Sequence, residues 1–138
     1  MYKCIQEIHE TFDSVGVKHD VEEHNGRWVI NTGMTAKGKK YRYLFIQTDD
    51  SGNDVAFRSA PIANFPENKR QDGYMLVNEL CGEYRFAKFV LDDDGDLMVE
   101  YDFPLALQPI GKSALEILIR VTQILEDCHS RIMQAVWS

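Results

Sequence analysis

Apolar positions fall first at a helical spacing: Ile5, Ile8, Phe12 and Val15 lie three, four and three residues apart, which predicts an amphipathic helix over residues 2–15, ended by Gly16. The period then shortens to two. Residues 17–33 predict a hairpin about Asn25-Gly26, the dipeptide that suits a two-residue type I′ turn, with His24 opposite Arg27. That register puts Val17, Val21, Trp28, Ile30 and Met34 on one face and Lys18, Asp20, Glu22 and Asn31 on the other, with Val29 as the exception. After a Lys37-Gly38-Lys39-Lys40 turn, Tyr41 to Ile46 is apolar on both sides and predicts an interior strand. Asp49 to Asn53 then turns the chain into a strand over Val55 to Ser59, which Pro61 stops.

The second half repeats the alternation of helix and hairpin. Pro66 suits the first turn of a helix running to Cys81, with Tyr74, Val77 and Cys81 on its apolar side, Leu76 and Leu80 flanking them, and Gly82 closing it. Tyr84 to Pro104 predicts the surest hairpin of the chain, aromatic and β-branched in both arms. A type I turn at Asp93-Asp94 with left-handed Gly95 sets Leu91 opposite Leu97, Phe89 opposite Val99 and Lys88 opposite Glu100. A loop one residue longer would leave Lys88 among Phe86, Val90, Leu97 and Val99, a costly burial of an unpaired ammonium, so the shorter loop is preferred. Ala87, Phe89, Leu91, Leu97, Val99 and Tyr101 then form the inner face, covered by the first and last helices. Phe86, Lys88, Val90, Met98, Glu100 and Asp102 form the outer one. A last helix is expected over about residues 114–137, with Leu118, Val121, Leu125, Cys128 and Ile132 as its core stripe. Leu115, Ile119, Met133 and Trp137 widen its apolar arc toward half the circumference. The elements follow the order α-β-β-β-β-α-β-β-α, an α+β fold with an antiparallel sheet and helices packed on it.

Length and charge narrow the classes of function. At 138 residues the chain is expected to be one domain, residues 1–138, able to bury a core without covalent staples. Cys4, Cys81 and Cys128 are odd in number and far apart, which suits reduced thiols in a cytoplasmic protein. The first residues turn acidic at once and no apolar run approaches spanning length, so neither a signal peptide nor a membrane span is expected. A formal net charge of -7, with no basic cluster larger than Lys37, Lys39, Lys40 and Arg42, argues against nucleic acid as a partner.

Candidate chemistry is sparse. His9-Glu10-Thr11-Phe12-Asp13 approaches the zinc-protease pattern H-E-x-x-H, but Asp13 stands where the second histidine belongs, and the stretch reads as a solvated helix face. His19 and His24 fall on opposite faces of their hairpin, cannot share a metal, and read as strand positions near solvent. Gly111-Lys112-Ser113 resembles the end of a phosphate-binding loop. However, Ala106 occupies the first glycine position and Pro109 lacks the N-H a phosphate would need, so Ser113 and Glu116 are read as a capping box instead. The acidic turns at 49–53 and 92–96 lack the ligand spacing of a calcium loop. The residues themselves therefore imply no catalytic residue, no cofactor and no metal.

The strings GRWVI, Pro66 to Leu80, NELCGEYRFAKFVLDDDGDLMVEYDFPL and the terminal RIMQAVW resemble the YbjN family of bacterial sensory transduction regulators over nearly the whole chain, most specifically from Val77 to Leu105. One departure is Cys81, which stands where the family often has a second Asn after Asn78. The resemblance implies a fold like that of type III secretion chaperones and a non-enzymatic regulator or chaperone-like adapter that acts through protein contacts. It carries over no catalytic residue. Two rivals are a small-molecule sensor, with an apolar pocket between the Trp28 strand and the last helix, and an uncharacterised enzyme with clustered ionisable groups. The expected interface residues are Phe86, Val90, Met98 and Trp137, meeting an unidentified protein partner or forming a homodimer contact of about 800 Å² per subunit.

Overall fold

The computed structural model describes residues 3–48, 54–104 and 109–137. Helix α1 (Lys3–Val15) leads into strands β1 (His19–His24), β2 (Arg27–Ala36), β3 (Lys39–Gln47), β4 (Asp54–Ser59) and the short β5 (Ala63–Asn64). A 3₁₀ turn at Glu67–Lys69 opens α2 (Arg70–Glu83), which is followed by β6 (Lys88–Leu91), β7 (Asp96–Pro104) and α3 (Ile110–Trp137). The seven strands form one sheet in which every described pairing is antiparallel. β1 to β4 follow in chain order, β7 lies beside β4 and β5, and β6 pairs with the other edge of β7. The fold is thus α+β, in the predicted order with β5 added.

Turn chemistry sets the register at both hairpins. Asn25 and Gly26 take positive φ of 54° and 81°, and His24 faces Arg27. At the other hairpin the Gly95 N-H donates to the Asp92 carbonyl at 3.0 Å, Gly95 sits at φ 83°, and Asp92 Oδ1 accepts from the Asp94 and Asp96 amides. Lys88 then lies opposite Glu100, Phe89 opposite Val99 and Leu91 opposite Leu97, as the shorter loop requires. Glycine is needed at 95 for a second reason: a Cβ there would meet the Phe65 carbonyl oxygen at 2.3 Å.

The core lies on one face of the sheet. Ile30, Phe45, Phe57 and Tyr101 form a cross-strand row over β2, β3, β4 and β7. Phe12 of α1 stands on Phe45 at 5.6 Å between ring centroids, and Phe45 and Tyr43 meet Phe57 at 5.1 and 5.2 Å. From α3 come Leu118, Val121, Leu125, Cys128 and Ile132, each fully buried, as the helical stripe predicts. Where Pro61 interrupts β4, the Ser59 hydroxyl accepts the buried Val99 amide at 2.8 Å and the Ile62 amide reaches the Leu97 carbonyl at 2.8 Å. The ladder of β7 is thereby kept satisfied across the break into β5, a strand the sequence pattern is too short to announce.

Four expectations are corrected. In α2 the buried positions are Gly73, Leu76 and Leu80, while Tyr74 and Cys81 are exposed and Val77 only partly covered. Apolar residues surround most of this helix, and the packing of Gly73 against Phe65 and Leu91 decides which side turns inward. The hairpin arm starts at Lys88 and not at Tyr84: the Tyr84 amide still bonds the Leu80 carbonyl at 3.0 Å, and Phe86 turns the chain at φ 69°. The inner face of this hairpin is covered by α2 beside β6, with α3 over Tyr101 and Phe103; α1 lies over β1, β2 and β3. Finally, α3 begins at Ile110, so Ser113 is inside its first turn, its amide bonded to the Pro109 carbonyl at 3.1 Å, and it is no cap. Residues 105–108, with Ala106 and Gln108 of the supposed phosphate loop, and the acidic turn at 49–53 lie outside the described residues.

One core hydrogen bond makes stability depend on alkaline pH. Thr122 donates its hydroxyl proton to the Leu118 carbonyl at 2.8 Å, so Tyr43, 2.7 Å away, donates to Thr122. Burial pushes the Tyr43 phenol up to about 12 and the Cys128 thiol up to about 11. Both groups ionise more readily in the unfolded chain, so their contribution is whole below pH of about 9 and is lost as pH rises through the folded values. For Tyr43 alone the loss amounts to about 3 kcal/mol. Urea melts at a series of pH values from neutrality to strong alkali should show falling midpoints, with a shallower fall in Tyr43→Phe.

Candidate functional site

The sheet's second face carries no helix among the described residues. Val29, Ile46 and Ala56 form one cross-strand row, and Leu44 lies between Asn31 and Arg58 in the next. Beyond them, Val90 and Met98 are directly opposed on β6 and β7. Leu44, Ile46, Val29, Val90 and Met98 are all partly exposed. At the β4 and β7 end of this face, Arg58 lies 2.9 Å from Asp102 and 3.7 Å from Glu100, which stands across from Lys88. Apolar side chains separated by a neutralised charged row can be covered without stranding a charge.

The four expected interface residues do not fall on one surface. Val90 and Met98 are neighbours on the open face, whereas Phe86 is on the helix side. Its left-handed backbone turns the ring toward Tyr101, 6.3 Å between centroids, and under the Arg120 guanidinium at 5.4 Å. Trp137 is at the end of α3 and 82% exposed. Phe86 is 48% exposed and rims a surface cavity of about 390 Å³ whose lining includes Tyr101, Phe103, Lys112, Ile117 and Arg120. This cavity is between α3 and β7, away from the Trp28 strand beside which the sensor reading expects one.

The ends of α2 and α3 are tied by polar contacts. Tyr84 donates its hydroxyl to Asp127, and Arg131 lies 2.6 Å from Glu83 and 3.6 Å from Glu79. Burial, and then the bond to the Asp127 carboxylate, raise the Tyr84 phenol well above its ordinary value. Cys81, the departure noted above, holds the start of β6: its sulfur accepts the Phe89 amide at 3.2 Å and lies 3.5 Å from the Phe89 carbonyl. No disulfide joins Cys4, Cys81 and Cys128.

A polar cluster was missed by reading the elements separately. His19, expected at a strand position near solvent, has a side chain only 3% exposed and meets His9 and Asp13 of α1. The signal was present, since the parity that turns Val17 and Val21 inward turns His19 inward as well. His24, by contrast, is exposed and bonded to Glu22 at 2.8 Å.

Comparison with known proteins bears on most of the chain. Residues 5–128 match the model of the YbjN family, described as "Putative bacterial sensory transduction regulator". The chain belongs to the YbjN family. Among curated proteins none matches it. The match runs from α1 through most of α3, so it takes in the sheet with both of its faces. No described helix is long and apolar enough to cross a membrane.

Proposed function

We propose that this YbjN-family chain is a cytoplasmic, non-enzymatic regulator or chaperone-like adapter that works through protein contacts, with the helix-free sheet face as its principal binding surface. One observation carries the reading: among the described residues all three α-helices lie on one side of a seven-stranded sheet, and the other side keeps Val29, Leu44, Ile46, Val90 and Met98 partly exposed. The first occupant of that face is a second copy of the chain. A two-fold contact places the same patch on both partners, and the internal pairing of Arg58 with Glu100 and Asp102 lets like faces meet without net repulsion. An antiparallel sheet with helices on one side is in keeping with a type III secretion chaperone-like arrangement. Phe86 and Trp137, on the helix side, are the proposed contacts for a different protein partner.

Single cysteines at Val29, Leu44, Ile46 and Met98, introduced in a Cys81→Ser chain, test the surface. Mild oxidation should link two chains through at least one of them, while Gln123→Cys on exposed α3 should give none. Equal linkage from both faces would remove the sheet face from the proposal.

The cavity beside Phe86 supports a second reading, a sensor for a small amphipathic molecule, because aromatic rings line it beside Lys112 and the paired Arg120 and Glu116 side chains. A thermal-shift screen of such compounds would then give stabilising hits that disappear in Phe86→Ala.

A further inference from the structure

We propose that His9, Asp13 and His19 bind one late first-row divalent cation, zinc foremost, and leave a coordination position open toward the groove beside β1 and β2. The site is distinct from the sheet face and does not depend on how that face is used.

Three features of the chain assemble it. His9 and Asp13 are one turn apart on α1, so their side chains project from the same side of the helix. Gly16 at φ 78° ends that helix, with the Val17 amide bonded to the Phe12 carbonyl at 2.9 Å, and the chain doubles back into β1. His19 therefore returns against the helix it has just left, edge-on to the rings of Phe12 and His9 at 5.5 and 5.0 Å. One ligand atom from each of His9, Asp13 and His19 lies within 4.8 Å of the others.

The hydrogen-bond inventory leaves a place for a cation. His19 Nδ1 is 2.8 Å from the Val17 carbonyl, an acceptor, so the ring proton sits on Nδ1 and the Nε2 lone pair points into the cluster. A backbone carbonyl holding the far nitrogen is the support that metal-binding histidines ordinarily have. His9 presents Nδ1 to that lone pair at 2.8 Å and Nε2 to the Asp13 carboxylate at 3.4 Å. Both neighbours are acceptors, and a neutral imidazole has one N-H to give. A neutral His9 can meet only one of the two, so the cluster calls for added positive charge, and a divalent ion among the three groups supplies it.

Distances and donor types select the ion. Tetrahedral zinc, with bonds of about 2.0–2.1 Å, holds its ligand atoms about 3.3 Å apart. His19 Nε2 is 2.8 Å from His9 Nδ1 and 3.8 Å from Asp13 Oδ1, and one atom from each residue lies within 4.8 Å of the others, so side-chain shifts complete the geometry. Two nitrogens and one carboxylate favour zinc, cobalt or nickel over calcium and magnesium, which need oxygen. Three protein ligands leave a fourth position, and Asp13 and His19 border a groove of about 740 Å³ shared with Asn31, Thr32, Lys40 and Arg42. An anionic or neutral donor entering along that groove can fill it.

The test uses the full chain without a histidine tag, stripped with chelator and titrated with zinc by calorimetry. Cobalt supplies a visible spectrum that reports tetrahedral coordination. The expected result is saturation at one ion per chain. His9→Ala and Asp13→Ala, both at solvent-accessible positions and checked for folding by circular dichroism, should each weaken binding at least about a hundredfold. His24→Ala should leave it unchanged. No saturable binding to the unmodified chain would overturn the proposal, as would undiminished binding by folded His9→Ala or loss of binding in His24→Ala.

Discussion

Gly111→Val is expected to lower stability by about 3 kcal/mol, the upper range for forcing extra volume into a closed contact. Gly111 lies where α3 crosses α1, and a Cβ there would meet Thr11 Oγ1 at 2.0 Å and the Glu7 carbonyl oxygen at 2.9 Å. Thr11 cannot swing aside freely, because its hydroxyl donates to that same Glu7 carbonyl at 2.9 Å. A side chain on residue 111 must therefore push the two helices apart, and Ile5, Ile8, Leu118 and Val121 lose their closure with them. Gly111→Ala should cost less, since alanine gains roughly 1 kcal/mol of helix propensity over glycine against the same clash. Adding Thr11→Ala should return part of the loss, because the nearest obstructing atom is gone while the Glu7 carbonyl stays. Urea midpoints of the four chains measure this directly. A Gly111→Val chain as stable as the unmodified one would mean that α1 and α3 do not meet there.

The same glycine shows where sequence reading reaches its limit. Gly111-Lys112-Ser113 invites comparison with a phosphate loop or a capping box because both are local patterns. The actual constraint is the approach of α1, about a hundred residues earlier in the chain. Local chemistry, where it decides alone, was legible: Asn25-Gly26 and Asp92 to Gly95 set both hairpin registers to the residue. The core stripe of α3 was legible for a related reason, since one face is apolar and its period is regular. In α2, Tyr74, Leu76, Val77, Leu80 and Cys81 surround the axis, and no pattern within the helix can choose among them; Phe65 and Leu91 choose. Phe86 was assigned to the outer face by counting alternate residues. That count fails because its backbone leaves the strand region. His9, Asp13 and His19 required the return of β1 onto α1, a tertiary event that a helix pattern and a strand pattern, read singly, do not contain.

Val90→Glu together with Met98→Glu is expected to convert a dimer into a folded monomer. The two side chains are cross-strand neighbours on the face that no described helix covers, both only partly buried. Two carboxylates directly opposed on a sheet cost at most about 1 kcal/mol, too little to unfold a domain with this core. The same four charges brought together across a two-fold axis, with their water removed, would be far more costly. Far-UV circular dichroism should therefore be unchanged while the mass halves. Glutamates at Val15 and Met75, exposed on helices of the opposite side, provide the control and should leave assembly as it was. Loss of assembly in the control as well, or its survival in the Val90 and Met98 variant, would move the contact away from this part of the sheet.

Sedimentation equilibrium of the unmodified chain at micromolar concentration tests the central claim, that the helix-free sheet face is a binding surface whose first occupant is a second copy. The account predicts a mass twice that of the 15.9 kDa chain, falling toward the monomer on dilution. A single species at the monomer mass across the whole concentration range would contradict it.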